Sequence, residues 1–209
     1  MSKISEVLSQ ISILPVLVVD SPDQAVDLSR ALLAGGINAV EITLRTDAAL
    51  EALAAVKQSI PELLVSAGTV RTPQEVQAVM DAGVDFGVSP AATPRLYDAV
   101  AELGLPFLPG VATPSEVLAG MERGFDHFKL FPAEAVGGLN LLRSMTSPLA
   151  GMKFCPTGGL NQENFTNYLA LPCVFCVGGS WMVPGDLLAA GDWNAITALA
   201  KAAVEKISV

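Results

Sequence analysis

Three groups of residues have types and spacings suited to chemistry. In HFKLFPAE (127–134), Lys129 lies between Phe128 and Leu130, in a run that reads as a buried strand. Lysine is seldom fully buried, and a buried ammonium is costly unless it is paired or gives up its proton. In VEITLRT (40–46), Glu41, Thr43 and Arg45 alternate with Val40, Ile42 and Leu44. Side chains two apart share one face of a strand. If the apolar set faces helices, the polar trio faces inward. The same parity turns His127, Lys129 and Phe131 inward and Phe128 and Leu130 outward. Glu41 and Lys129 then share one interior, either as a buried ion pair, which is weak evidence for stability, or as an amine and its proton shuttle. A free amine is what attacks a carbonyl to form a Schiff base. Spacing alone leaves both readings open.

The third group is rich in glycine. SAGTV (66–70) puts Gly68 and Thr69 at a strand end, and GVSP (87–90) and PGVATPSE (109–116) also close on small or turn residues. TGG (157–159) and GGS (178–180) are doublets at consecutive strand ends. Backbone N–H groups freed by glycines, with a helix N-terminus, hold a phosphate dianion without a basic side chain.

These residues must be positioned by a repeating frame. Strand candidates fall at 13–19, 38–44, 63–69, 84–89, 106–110, 127–131, 153–157 and 173–178, separated by amphipathic stretches, with a final helix at about 192–207. Ser21-Pro22, Thr72-Pro73, Thr93-Pro94 and Thr113-Pro114 each place a capping residue before a first-turn proline. Glycines close helices in AGG (34–36), AGV (82–84) and RGF (123–125). Eight strand–helix alternations predict an α/β protein, a (β/α)8 TIM barrel formed by one domain over 1–209, with an extra N-terminal helix before the first strand. No G-x-G-x-x-G follows an early strand, which disfavours a doubly wound dinucleotide fold. In such a barrel the active site lies at the carboxyl ends of the strands, and the phosphate site often follows strands seven and eight.

Composition narrows the partners. The 209 residues are 51% hydrophobic and 16% charged, too apolar for disorder. A net charge of -9 argues against a nucleic-acid surface. The apolar run 13–19 is too short to span a bilayer, and the start lacks the order of a secretion signal, so a soluble cytoplasmic protein is expected. Cys155, Cys173 and Cys176 are sparse and odd in number, as in a reducing compartment. CVFC (173–176), read as a strand, separates its cysteines by about 10 Å, too far for a disulfide. His127 is the only histidine, which excludes metal sites built on several histidines.

VEITLRT, SAGTV, PGVATPSE, FKLFPAE, FCPTGG and VGGSW, in this order and spacing, resemble the 2-keto-3-deoxy-6-phosphogluconate (KDPG) aldolase and 4-hydroxy-2-oxoglutarate aldolase family, from about residue 12 to the C-terminus. The resemblance implies a class I aldolase of the Entner–Doudoroff pathway, usually a homotrimer, with no metal and no cofactor beyond a covalent lysine imine. Its ligands would be a phosphorylated 2-keto acid, pyruvate and an aldehyde. By the same resemblance, Lys129 matches the Schiff-base lysine and Glu41 the general acid/base. Arg45 and Thr69 match residues that hold the pyruvyl carboxylate, and Pro90 and Phe131 line the pyruvyl pocket. Thr157, Gly158, Gly159, Gly179 and Ser180 match groups around the aldehyde half and its phosphate. Two positions depart from the pattern. Leu130 stands where some members have phenylalanine, on the face turned away from the site. Asp20 lies where some relatives have a basic residue near the phosphate. The sister enzyme acting on the galactonate epimer lacks the L-R-T and P-T-G-G forms present here. That favours the gluconate substrate, with 2-dehydro-3-deoxy-6-phosphogalactonate aldolase as the alternative; the other rivals are a phosphosugar isomerase or epimerase and a non-catalytic phosphometabolite-binding barrel.

Overall fold

A computed structural model describes residues 3–207. After a short helix α1 (Lys3–Leu8), strands and helices alternate. They run β1 (Ile13–Leu17), α2 (Pro22–Ala34), β2 (Ala39–Thr43), α3 (Ala49–Ser59), β3 (Leu64–Gly68), α4 (Pro73–Asp81), β4 (Phe86–Val88) and α5 (Pro94–Leu103). Next come β5 (Phe107–Leu108), β6 (Gly110–Val111), α6 (Pro114–Met121), β7 (His127–Leu130), α7 (Gly138–Thr146) and β8 (Lys153–Pro156). The chain ends in α8 (Phe165–Leu169), β9 (Val177–Gly179), α9 (Gly185–Ala190) and α10 (Trp193–Glu205). Ser21, Thr72, Thr93 and Thr113 each accept a backbone N–H with the side chain at the start of α2, α4, α5 and α6, and a proline opens each first turn. Each such cap contributes on the order of 1 kcal/mol.

All strand pairs are parallel. Six strands follow the order β5-β4-β3-β2-β1-β9, and β6-β7-β8 form a second ladder. This differs from eight strands in one continuous ladder. At Pro109, which has no N–H to donate, the chain hands over from pairing with β4 to pairing with β7. Between β8 and the segment leading through β9, only the bridges Phe154↔Val174 and Thr157↔Gly178 form. The expected strand at 173–178 is shorter because Phe175 bends the chain, and β9 begins at Val177.

Strand parity divides the apolar residues into two clusters. Val40, Ile42, Val65, Ala67, Phe128 and Leu130 belong to the cluster that packs against the helices. Leu14, Ala39, Phe86, Val88, Leu108 and Cys155 project from the other face and meet Ile4, Leu8 and Ile11 from in and after α1. The polar residues of the site rise from this second face, above that apolar floor.

Candidate active site

Glu41 on β2 and Lys129 on β7, 88 positions apart, meet on the inner face. Lys129 Nζ donates to both carboxylate oxygens, at 2.8 and 2.9 Å. Glu41 is 1% exposed and Lys129 5%. The two residues that strand parity turned to one interior meet as a hydrogen-bonded ion pair. Neighbouring hydroxyls do not compete for it. Thr43 Oγ1 donates to the Leu17 carbonyl at 2.8 Å, and Ser66 Oγ to that of Val40 at 3.0 Å.

Space around the pair comes from missing side chains. A Cβ on Gly68 would lie 2.6 Å from Glu41 Cγ and 2.8 Å from its Cδ, so the carboxylate lies directly over the end of β3. Gly110, paired with Lys129, packs its bare Cα against the Pro90 backbone and donates its N–H to Ser89 Oγ at 3.1 Å. Pro90 is thereby set one strand from the lysine. The Phe131 ring centre lies 5.8 Å from Lys129 Nζ. On the far side of β7, Cys155 pairs with Lys129 in register. The Cys176 thiol is pushed well above its usual range by burial and by its hydrogen bond with Cys155. Cys176 stays a protonated thiol. Cys173 instead accepts from Thr146 Oγ1 at 3.4 Å, so the two cysteines of CVFC serve different neighbours.

Towards the open end, Thr69 adopts φ of +63°, unusual for a residue with a β-branched side chain. Its Oγ1 accepts from Arg45 Nε at 3.3 Å. Arg45 and Phe131 line a cavity of about 190 Å³ with Thr157, Gly158, Gly159, Gly179 and Ser180. Val16 and Leu160, which the sequence reading passed over, complete it. Val16 pairs with Glu41, so the parity that found Glu41 was also the signal for Val16. The structure therefore gathers Glu41, Lys129, Phe131 and the backbone of Pro90 at the base. Arg45, Thr69, Thr157, Gly158, Gly159, Gly179 and Ser180 stand at the mouth. Asp20 is exposed, and its N–H is taken by Gln24 Oε1 at 2.9 Å.

The TGG turn has a defined polarity. The carbonyls of Thr157, Gly158 and Gly159 accept from Ala133 N, Glu134 N and Asn164 Nδ2, at 2.8, 3.1 and 3.3 Å. In a trans peptide the N–H points opposite to the C=O. The N–H groups of Gly158, Gly159 and Leu160 are therefore turned away from those partners, and all three residues line the cavity. Gly158 and Gly159 have φ of +102° and +84°, conformations that favour glycine. Successive N–H groups turned one way make an anion-binding concavity. Among the described residues no group of three or more His, Cys, Asp or Glu could hold a metal ion.

The family model described as "Aldolase: KDPG and KHG aldolase" matches residues 4–199. The chain belongs to the KDPG and KHG aldolase family. A KHG/KDPG aldolase of Escherichia coli (strain K12) is 46% identical over 193 residues, covering 92% of this chain and 91% of the relative. Among solved structures, a KDPG aldolase from Legionella pneumophila superposes with a TM-score of 0.93 at 42% identity, covering 96% and 97% of the two chains. That crystal captured pyruvate as a covalent carbinolamine intermediate. A second, from Zymomonas mobilis with 3-phosphoglycerate, gives a TM-score of 0.90 at 41% identity, covering 97% of this chain and 95% of its own. For a KDPG and KHG aldolase family member, the Lys129–Glu41 contact and the glycine-lined mouth acquire a common chemical reading.

Proposed function

We propose that the protein is a class I aldolase cleaving 2-dehydro-3-deoxy-6-phospho-D-gluconate to pyruvate and D-glyceraldehyde 3-phosphate, and 4-hydroxy-2-oxoglutarate to pyruvate and glyoxylate. The observation that carries this reading is the buried contact of Lys129 Nζ with both Glu41 oxygens. In this reading Lys129 is the nucleophile and Glu41 the proton shuttle. Transfer of one proton along that hydrogen bond leaves a neutral amine and a carboxylic acid. The amine attacks the C2 ketone, Glu41 returns the proton to the departing oxygen, and water leaves to give the protonated imine. Glu41, again a carboxylate, takes the C4 hydroxyl proton as the C3–C4 bond breaks and its electrons enter the imine. The aldehyde departs, Glu41 protonates the enamine carbon, and water hydrolyses the pyruvate imine. One carboxylate serves each step because its protonation alternates.

Arg45 and Thr69 are assigned to the substrate carboxylate, a planar target suited to a guanidinium. Pro90 and Phe131 form apolar walls of the pyruvyl pocket. Thr157, Gly158, Gly159, Gly179 and Ser180 take the phosphate through backbone N–H groups and hydroxyls. The two ladders are read as one (β/α)8 barrel, since Pro109 joins β5 to β6 and the bridge Thr157↔Gly178 joins β8 to β9. The same reading makes the chain one domain, a cytoplasmic homotrimer acting without metal or dissociable cofactor.

Borohydride reduction in the presence of pyruvate tests the assignment. The unaltered protein should gain a covalent adduct mapping to Lys129, and folded Lys129→Ala should gain none and show no turnover. Glu41→Gln should lower turnover by roughly 10²–10⁴, the usual contribution of acid–base catalysis. An adduct persisting in Lys129→Ala would remove the lysine from its role.

A further inference from the structure

Behind the TGG turn lies a half-buried contact that the reaction above does not use. Tyr168 on α8 is fully buried, and its Oη donates to Glu134 Oε1. Burial and the Glu134 carboxylate push the Tyr168 phenol far above its usual range, so it remains a donor. Glu134 in turn touches the turn in two ways. Its N–H holds the Gly158 carbonyl at 3.1 Å. Its Cβ and Cγ fill the space beside Gly159, where an added Cβ would lie 2.6 Å from each. The carboxylate is thus anchored from behind by the phenol, while the aliphatic stem and the peptide N–H press on the two glycines.

We propose that Glu134, held by Tyr168, is a positioning residue for phosphate recognition, fixing the Gly158 and Gly159 peptides with their N–H groups towards the cavity. Glu134 does not touch the substrate. Its carboxylate, a poor neighbour for a phosphate dianion, is turned to Tyr168, and its hydrocarbon stem faces the loop. The inference rests on the aldolase reading and adds a separate claim to it. Imine formation at Lys129 does not depend on Glu134, whereas affinity for the phosphorylated end does.

The test uses the full chain with two readouts. One is the KM for 2-dehydro-3-deoxy-6-phosphogluconate. The other is exchange of pyruvate methyl protons with deuterated water, which requires the imine but no phosphate. Tyr168→Phe and Glu134→Ala should raise KM about five- to tenfold, the factor one net hydrogen bond is worth, with pyruvate exchange changed by less than twofold. Glu134→Gln keeps a carbonyl oxygen for the phenol and the same stem, so its KM should stay at or below that of the unaltered chain. A loss of pyruvate exchange as large as the rise in KM, or an unchanged KM in Tyr168→Phe, would overturn the proposal. If Glu134→Ala does not fold, Tyr168→Phe and Glu134→Gln decide it. Absence of pyruvate exchange in the unaltered protein would overturn the aldolase reading, and this inference with it.

Discussion

Gly68 carries as much of the site as the charged groups do. Its Cα forms the surface on which the Glu41 carboxylate rests, and a methyl group there would overlap Cγ and Cδ. Gly68→Ala should leave the fold intact, since residue 68 is the last of an otherwise ordinary strand. It should nevertheless displace Glu41 from Lys129 and lower turnover by about a hundredfold or more, as small misplacements of catalytic groups do. Steady-state assays together with a crystal structure of the variant check this, and activity within threefold of the parent would refute it. At this scale the sequence was partly legible. Alternation along VEITLRT and HFKLF placed Glu41 and Lys129 on one face because strand parity is geometric. The Glu134–Tyr168 contact was not legible, because 34 positions of chain separate the two residues and no period links them.

Helix entries were the most legible elements, and they carry a pH dependence. At the start of α4, Thr72 and Glu75 form a reciprocal capping box, and Glu75 also takes Arg71. Burial works to raise the Glu75 carboxyl, but hydrogen bonds and charge from Arg71 and the Thr72 N–H outweigh it, leaving the value below the usual range. The folded chain therefore binds this proton more weakly than the unfolded one. The resulting stability is present above the unfolded value of about 4.3 and is lost as pH falls through the lower folded value. Glu75→Ala should cost about 1 kcal/mol at pH 7, measured by urea unfolding, and the gap should shrink at pH 3. A gap independent of pH would rule out the carboxylate as its source. Other elements escaped the sequence reading. The six residues of α9, between Pro184 and Gly191, are too few to display a helical period. The split of β5 from β6 at Pro109 depends on which neighbour each half pairs with, a tertiary fact.

Across the whole molecule, two apolar clusters sandwich the strands, and α1 with the turn after it supplies Ile4, Leu8 and Ile11 to the inner one. Leu8 is 1% exposed. Leu8→Ala should therefore destabilise the chain by roughly 2–5 kcal/mol in urea unfolding, while the folded variant still forms its pyruvate adduct, because the cavity opens below the site. A cost under about 1 kcal/mol would mean that the helix merely lies against the surface. Alternation of strand and helix was readable because each period is local, whereas the floor supplied by α1 depends on contacts the sequence does not display. Selection on folding alone would preserve Lys129 and Glu41. Each neutralises the other in a buried setting, and loss of one partner from such a pair costs roughly 3–5 kcal/mol, while joint replacement by apolar residues is often neutral. A descendant with no need of the reaction would still be penalised at the first single substitution, so the apparatus would outlast its use.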